Sequence, residues 1–330
     1  MKLAILGTGK IVKEVLHVFS EIKNISLISI LSTERSKNIA NELSKQFNIL
    51  YTTTNYNDIL NDSNINTIYV ALPNIFHYEY SLKALKNNKN VICEKPFTMT
   101  SNELIELINI SKEKKLFLLE AITNQFLKNY SYIKQNIEKL GDIKIVQCNY
   151  SQYSSRYDAF KKGENPPAFD PKMGGGALRD LNIYNIHFVV GLFDIPKGNI
   201  EYFPNIEKDI DTSGVLVMDY KKFKVICIGS KDCDGGKEIK SVIQGNKGNI
   251  IINGPTNTLP EVEIKLNDDY YEKINKNIDK HRMYEEFIEF VKIIENKDFE
   301  TGNKYLEHSL KVMNVLEQAV KSMNRNNFNS

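Results

Sequence analysis

Four short stretches of this chain combine residue types that could handle a nucleotide. Gly7-Thr8-Gly9 lies between the apolar run 3–6 and the helically spaced stretch 11–22. Glycines there permit a sharp turn and let the backbone approach a pyrophosphate, which would sit on the helix N-terminus. Gly7, Thr8, Gly9, Lys10 and Ile11 are therefore the expected dinucleotide cradle, with Val12 at the third glycine position of the usual fingerprint. Cofactor choice should be set at Ser32-Thr33-Glu34-Arg35-Ser36-Lys37. An acidic residue at a strand tip holds both ribose hydroxyls, whereas a small hydroxyl followed by cations accepts a 2′-phosphate. Ser32 takes the tip, with Thr33, Arg35 and Lys37 close by and Glu34 among them, so NADP is favoured over NAD. The other two stretches are Ala71-Leu72-Pro73-Asn74-x-x-His77 and Cys93-Glu94-Lys95-Pro96-Phe97. Leu72, Pro73, Asn74, His77, Glu94 and Lys95 are expected to line the cofactor, with Lys95 beside the nicotinamide.

For these stretches to converge, each must follow a strand. Apolar runs at 3–6, 26–31, 49–51, 67–72, 90–93 and 116–119 alternate with helically spaced stretches at 11–22, 36–47, 56–60, 76–86 and 102–114. Continuous apolar strands separated by helices indicate a parallel sheet covered on both faces. Residues 1–121 therefore read as a Rossmann-type, doubly wound α/β domain. Beyond it the pattern changes. A helix (about 130–139) and a long strand (143–153) precede a proline-bearing loop and the triplet Gly174-Gly175-Gly176, which opens a helix from about 177 to 193. Strand-like runs then follow at 200–203, 214–220, 223–228, 239–244, 249–252 and 262–266, joined by turns. Short connections favour antiparallel pairing. Residues 122–330 are thus expected to form an α+β domain on a large, open-faced, mostly antiparallel sheet. It ends in helices at about 282–294 and 304–323 and a frayed tail at 324–330; the last helices could pack back on the first domain.

Composition excludes several classes. Of 330 residues, 42% are hydrophobic and 25% charged, the range of a folded globular chain. With 43 Lys and Arg against 41 Asp and Glu, no field of one sign is available to hold nucleic acid or a membrane surface. No apolar run approaches the roughly 18–20 residues that span a bilayer. Cys93, Cys148, Cys227 and Cys233 form no Cys-x-x-Cys pair, which points to reduced thiols in a cytoplasmic protein and to no metal site.

The glycine turn, the Pro-Asn-x-x-His loop, the Glu-Lys-Pro triplet, Glu120-Ala121 and Gly174-Gly175-Gly176-Ala177-Leu178-x-Asp180 occur in an order that resembles the Gfo/Idh/MocA oxidoreductases. Asp180-Leu181-Asn182-Ile183-Tyr184 is similar to the family's tyrosine branch, which includes dimeric dihydrodiol dehydrogenase and glucose-fructose oxidoreductase. The resemblance implies a nucleotide-binding domain, then a sheet domain that holds substrate and often mediates assembly into dimers or tetramers. The chain departs from the family at Asn182, where glycine is usual, at Thr123 and Gln125, where the branch carries Trp and Arg, and at Pro167, often Arg. Without those aromatic and cationic groups, a sugar or cyclitol is the expected substrate.

Asp180, Tyr184 and His187 stand at i, i+4 and i+7, so a helix starting near the glycines places them on one face. Oxidising a carbinol at nicotinamide requires its hydroxyl proton to leave. Tyr184 can take it if a neighbouring ammonium lowers the phenol from its ordinary value of about 10. Lys95 supplies that charge and stabilises the developing alkoxide, and Asp180 orients Lys95 or the substrate. Lys95, Tyr184 and Asp180 form the expected catalytic set; Asn124, Arg156 and His187, with Gln125, are expected to hydrogen-bond a polyol. The activity read from this is NAD(P)-dependent interconversion of a secondary alcohol and a ketone. Two alternatives are a glycosidase that oxidises transiently through retained NAD, and a non-enzymatic nucleotide sensor.

Overall fold

The computed structural model describes residues 1–236 and 238–327, with side chains as far as residue 323. The chain divides into two units. Met1–Ala121 and Met283–Leu310 form the first; Ile122–Arg282 and the residues from Lys311 on form the second.

In the first unit the chain runs β1 (Lys2–Leu6), α1 (Lys10–Glu21), β2 (Ser26–Leu31), α2 (Lys37–Phe47), β3 (Tyr51–Thr53), α3 (Tyr56–Asn61), β4 (Thr67–Val70), α4 (His77–Lys86), β5 (Asn90–Glu94), α5 (Ser101–Lys114) and β6 (Leu118–Ala121). Among the described residues these strands form a six-stranded sheet in the order β3-β2-β1-β4-β5-β6, all parallel. Leu3, Ala4, Ile5, Leu6, Ile68, Tyr69 and Val70 have no exposed surface. That is why the runs read as continuous apolar stretches rather than alternating ones. The strand order reverses between β1 and β4, and in such sheets ligands bind at the carboxyl ends beside the reversal. The glycine turn and the Leu72–His77 loop leave those two adjacent strands. Helix α5 starts with the expected capping box. The Thr100 hydroxyl accepts from the Glu103 N–H at 3.3 Å and Glu103 accepts from the Thr100 N–H at 3.0 Å, a device contributing about 1 kcal/mol.

The second unit begins with α6 (Lys128–Asn136), β7 (Ile143–Ser151) and the short α7 (Tyr157–Lys161). A π-helical turn at Leu178–Asn182 runs into α8 (Ile183–Phe193). Then come β8 (Ile200–Glu207), β9 (Ile210–Asp219), β10 (Lys224–Ser230), β11 (Ser241–Gly245), β12 (Gly248–Ile252), β13 (Val262–Leu266) and β14 (Tyr271–Ile274). The sheet order is β14-β13-β12-β11-β7-β10-β9-β8, eight strands among the described residues, with β7 and β10 the parallel pair. One face is buried: Val146, Cys148, Leu216, Met218, Val225, Cys227, Ile243, Ile250 and Ile252 have no exposed surface. Their neighbours along the strands, Ile145, Val217, Ile226, Val242 and Ile251, keep exposed or half-exposed surface, giving the open face that the alternating pattern predicts.

Two elements were not legible. β14 is a polar edge strand without apolar alternation, and α7 is a single short turn inside a loop. Helices α9 (Tyr284–Glu295) and α10 (Phe299–Asn327) close the chain. Phe287 of α9 packs in the first unit edge-to-face against Phe19 and Tyr69, at 4.7 and 5.6 Å between ring centroids. The expected frayed tail starts too early: the α10 backbone continues to Asn327, and 328–330 lie outside the described residues.

Candidate active site

In the first unit, Gly7 has φ +110°, and a Cβ there would lie 2.5 Å from the Ala71 carbonyl oxygen. The loop leaving β4 passes that close, so only glycine fits. At Gly9 a Cβ would meet nothing within 4 Å. Gly9 caps α1 without a side-chain hydrogen bond, and the first turn of α1 carries no acidic residue. Its N–H groups and the positive end of the helix dipole face a space that suits an anion. Thr8 and Ile11 are half-buried at this turn, and Lys10 is exposed, 3.9 Å from Glu14.

At the tip of β2, the Ser32 hydroxyl is buried with no hydrogen-bond partner. A buried hydroxyl left so is unusual and suits a ligand oxygen. Thr33 caps the following turn through Ser36. Glu34 is turned outward: it accepts from the Thr54 hydroxyl at 2.6 Å and lies 3.8 Å from Lys37. Arg35 and Lys37 are exposed. A helix terminus without a side-chain cap and a buried hydroxyl without a partner, after neighbouring parallel strands, fit a dinucleotide.

Lys95 is half-buried in the turn after β5, and buried side chains fix that turn from several sides. The Tyr69 hydroxyl donates to the Glu94 carboxylate. His77, fully buried, sets Nδ1 2.8 Å from the Pro96 carbonyl oxygen and Nε2 2.8 Å from that of Leu72. Its ring lies between the loop after β4 and the turn after β5; burial lowers its pKa below the ordinary histidine value, and the two carbonyl acceptors oppose that fall. The Phe97 N–H donates to Glu120 Oε1 at 3.1 Å. Leu72, Pro73 and Asn74 are half-buried in the same loop. His77 and Glu94, expected to line the cofactor, are placed as struts beneath the turn carrying Lys95.

In the second unit, Gly176 has φ +113°, and its Cβ would meet Asp211 Oδ1 at 2.0 Å. Asp211 can come that close because it anchors the helix start, accepting from the Leu178 N–H at 2.7 Å and the Tyr202 hydroxyl at 2.8 Å. Burial raises the Asp211 pKa, and these donors oppose the rise. Asn182, where glycine was expected, donates to the Cys227 carbonyl of β10 at 3.2 Å. Asn185 donates to the Asn182 side-chain oxygen and to the Ile228 carbonyl, at 2.8 and 2.9 Å. These amides bind the helix to β10, and the chain starts as a π turn instead of a regular α-helix.

Tyr184 lies on α8 with its ring edge-to-face against Tyr150, 5.6 Å between centroids. Asn124 is fully buried and donates to the Tyr184 carbonyl oxygen at 2.8 Å, and Gln125 donates to the His187 carbonyl oxygen at 3.0 Å. Asn124 and Gln125 thus brace α8 through its main chain. His187 is also fully buried, and Arg156 is half-buried at the start of α7. The Asp180 carboxylate pairs with Lys231 Nζ at 2.9 Å. Lys231 was not singled out in the sequence, where Ser230-Lys231-Asp232 resembles any polar strand end.

Residues 1–121 match the profile of the oxidoreductase family with an NAD-binding Rossmann fold, and residues 130–251 match the Gfo/Idh/MocA C-terminal domain. The chain belongs to the Gfo/Idh/MocA oxidoreductase family. Within it, the chain is 31% identical to scyllo-inositol 2-dehydrogenase (NADP(+)) IolU of Bacillus subtilis, over 98% of this chain and 97% of that one. It is 27% identical to trans-1,2-dihydrobenzene-1,2-diol dehydrogenase of Xenopus tropicalis, over 66% and 65% of the two chains. Among solved structures, KijD10, a 3-ketoreductase from Actinomadura kijaniata in complex with NADP and TDP-benzene, superposes with a TM-score of 0.83 at 18% identity, covering 98% and 97% of the chains. That likeness shows a shared fold. This Gfo/Idh/MocA chain is an oxidoreductase of the NAD(P)-dependent dehydrogenase/reductase class, as its sequence predicts. Among its described residues no helix is long and apolar enough to cross a membrane.

Proposed function

We propose that this protein uses NADP to interconvert a secondary alcohol and a ketone on a sugar, cyclitol or related small polyol, with Lys95 and Tyr184 as the acid/base pair. The observation that carries this reading is the turn holding Lys95. His77 and Glu120 tether its backbone, and Glu94 is tied to Tyr69, at the carboxyl end of β5 in the sheet that presents the glycine turn. A lysine left half-buried on so fixed a base is arranged for a ligand rather than for solvent. When bound, the nicotinamide supplies the hydride acceptor or donor. Tyr184 takes the carbinol proton in oxidation and returns it in reduction, Lys95 stabilises the alkoxide between, and Asp180 supports them. Thr8, Lys10, Ile11, Leu72, Pro73 and Asn74 line the cofactor, while Arg156 and His187 help to hold the polyol.

NADP is favoured over NAD because the carboxylate that could hold a ribose, Glu34, is engaged by the Thr54 hydroxyl, leaving Ser32, Thr33, Arg35 and Lys37 for a 2′-phosphate. The inositol and diol dehydrogenases among the relatives support a ring polyol. The half-exposed Val217, Ile226, Val242 and Ile251 on the open sheet face support a homodimer or tetramer, which light scattering would report. The decisive experiment assays scyllo-inositol, myo-inositol, D-xylose, D-glucose and a trans-dihydrodiol with NADP+ and NAD+ in parallel, following reduced nicotinamide. NADP-linked turnover of at least one is expected. Inactivity across the panel overturns the reading, and cofactor that stays bound while a glycoside is cleaved would indicate the glycosidase chemistry instead.

A further inference from the structure

We propose that Lys231 is a positioning residue for the reaction, its interior ammonium holding the Asp180 carboxylate in place beside the helix that bears Tyr184. This rests on the function proposed above and adds to it a residue outside the family motifs.

Lys231 follows β10, and its side chain is 1% exposed. Burying an ammonium is costly unless its donors are satisfied. Here Nζ meets Asp180 Oδ2 at 2.9 Å, donates to the Ala168 carbonyl oxygen, and stands 4.2 Å from the centre of the Phe169 ring. Its backbone is equally constrained: its N–H donates to Thr212 O, and its carbonyl accepts from the Ser154 N–H. The lysine is therefore a fixed point.

The ammonium pairs with Asp180, while Asp211 and the adjacent Asp232 are engaged elsewhere. Asp211 is occupied by the Leu178 N–H and the Tyr202 hydroxyl. Asp232 is occupied by the hydroxyls of Thr212, Ser213 and Ser230. Asp180 is the carboxylate that takes the charge, and its side chain, unlike that of Lys231, keeps 30% exposure. The cation is interior and the anion reaches the surface, so the pair presents a carboxylate of set orientation to whatever lies outside. Arg179, the other cation of this cluster, has its Nε buried without a partner. The π turn fixes the main chain under Asp180 through Asp211. Lys231 fixes its side chain.

The test is a double-mutant cycle on the full-length enzyme, using a substrate that the panel shows to be turned over. Lys231→Met keeps the volume and leaves Asp180 partly solvated, and Asp180→Asn keeps an acceptor for Lys231, so both variants should fold; thermal melting checks this. If Lys231 acts through Asp180, Lys231→Met lowers kcat about tenfold or more with the NADP+ Kd unchanged, and the double variant is no slower than Asp180→Asn alone. Should Lys231→Met fail to fold, the double variant, which strands no charge, carries the comparison. A kcat of the double variant well below that of Asp180→Asn, or a Lys231→Met enzyme with full kcat, overturns this inference alone. Full turnover in Asp180→Asn instead overturns the role given to Asp180 in the proposed function.

Discussion

The two units secure their key side chains by different means. In the first, Lys95 stands on a strand-end turn tied down through main-chain atoms: the Pro96 carbonyl by His77 and the Phe97 N–H by Glu120. The supporting sheet is buried on both faces, so the turn inherits a rigid base. In the second, Asp180 lies in the π turn after a glycine triplet and Tyr184 in the helix that follows, held by side-chain bonds to β9 and β10. Asp211 bonds the Leu178 N–H, Asn182 and Asn185 bond β10 carbonyls, and Lys231 pairs with Asp180. In both, buried side chains bond main-chain groups and each depends on those partners being satisfied; the second adds a side-chain ion pair, Lys231 with Asp180.

The sharpest challenge to this comparison is at the proposed acid/base pair. Tyr184→Phe and Lys95→Met should each lower kcat by about 10²–10⁴-fold with little change in NADP+ affinity; near-normal turnover in either would remove that unit from the chemistry. Next come the two glycines with positive φ. Gly7→Ala sets a methyl against a backbone oxygen that cannot yield, and Gly176→Ala sets one against the Asp211 carboxylate, whose displacement would release the Leu178 N–H and the Tyr202 hydroxyl. Both should destabilise by roughly 2–4 kcal/mol, with NADP+ affinity falling in the first and kcat in the second. Denaturant melts with nucleotide titrations separate the two patterns, and equal loss of both properties in both variants would erase the distinction.

A smaller effect is expected at the cofactor end. Arg35→Ala should raise KM for NADP+ about tenfold, the loss of one charge-assisted phosphate contact, and leave KM for NAD+ nearly unchanged. The smallest concerns acid stability. Hydrogen bonds from the Tyr132 and Tyr270 hydroxyls hold the Glu272 carboxyl below its ordinary 4.5. A depressed carboxyl pKa gives stability that is present above that value and lost as pH falls through the folded-state pKa. Glu272→Gln should therefore flatten the dependence of melting temperature on pH below about 4.5, and an unchanged profile would deny this edge strand a part in acid unfolding.

Much of the first unit could be read from the chain because its order is local. Each apolar run is a strand, each helical stretch a covering helix, and the motif at each strand tip is contiguous. What could not be read there is the inward turn of His77 and Glu94, because a motif reports which residues lie at a strand tip and not which way they face. In the second unit, strand alternation revealed most of the sheet. β14 escaped because an exposed edge strand needs no apolar side. The brace of Asn124 and Gln125 on α8 escaped because the partners are about 60 residues apart.

Periodicity along the chain determined that it builds a covered parallel sheet followed by an open one, and that Gly7 and Lys95 follow strands while Asp180 and Tyr184 stand where a helix opens after glycines. Those features depend on short-range spacing. Only tertiary structure decided that Lys231 is the cation beside Asp180 and that the helix carrying Tyr184 starts as a π turn. A buried charge finds its partner by proximity after folding, and no spacing along the chain encodes that distance.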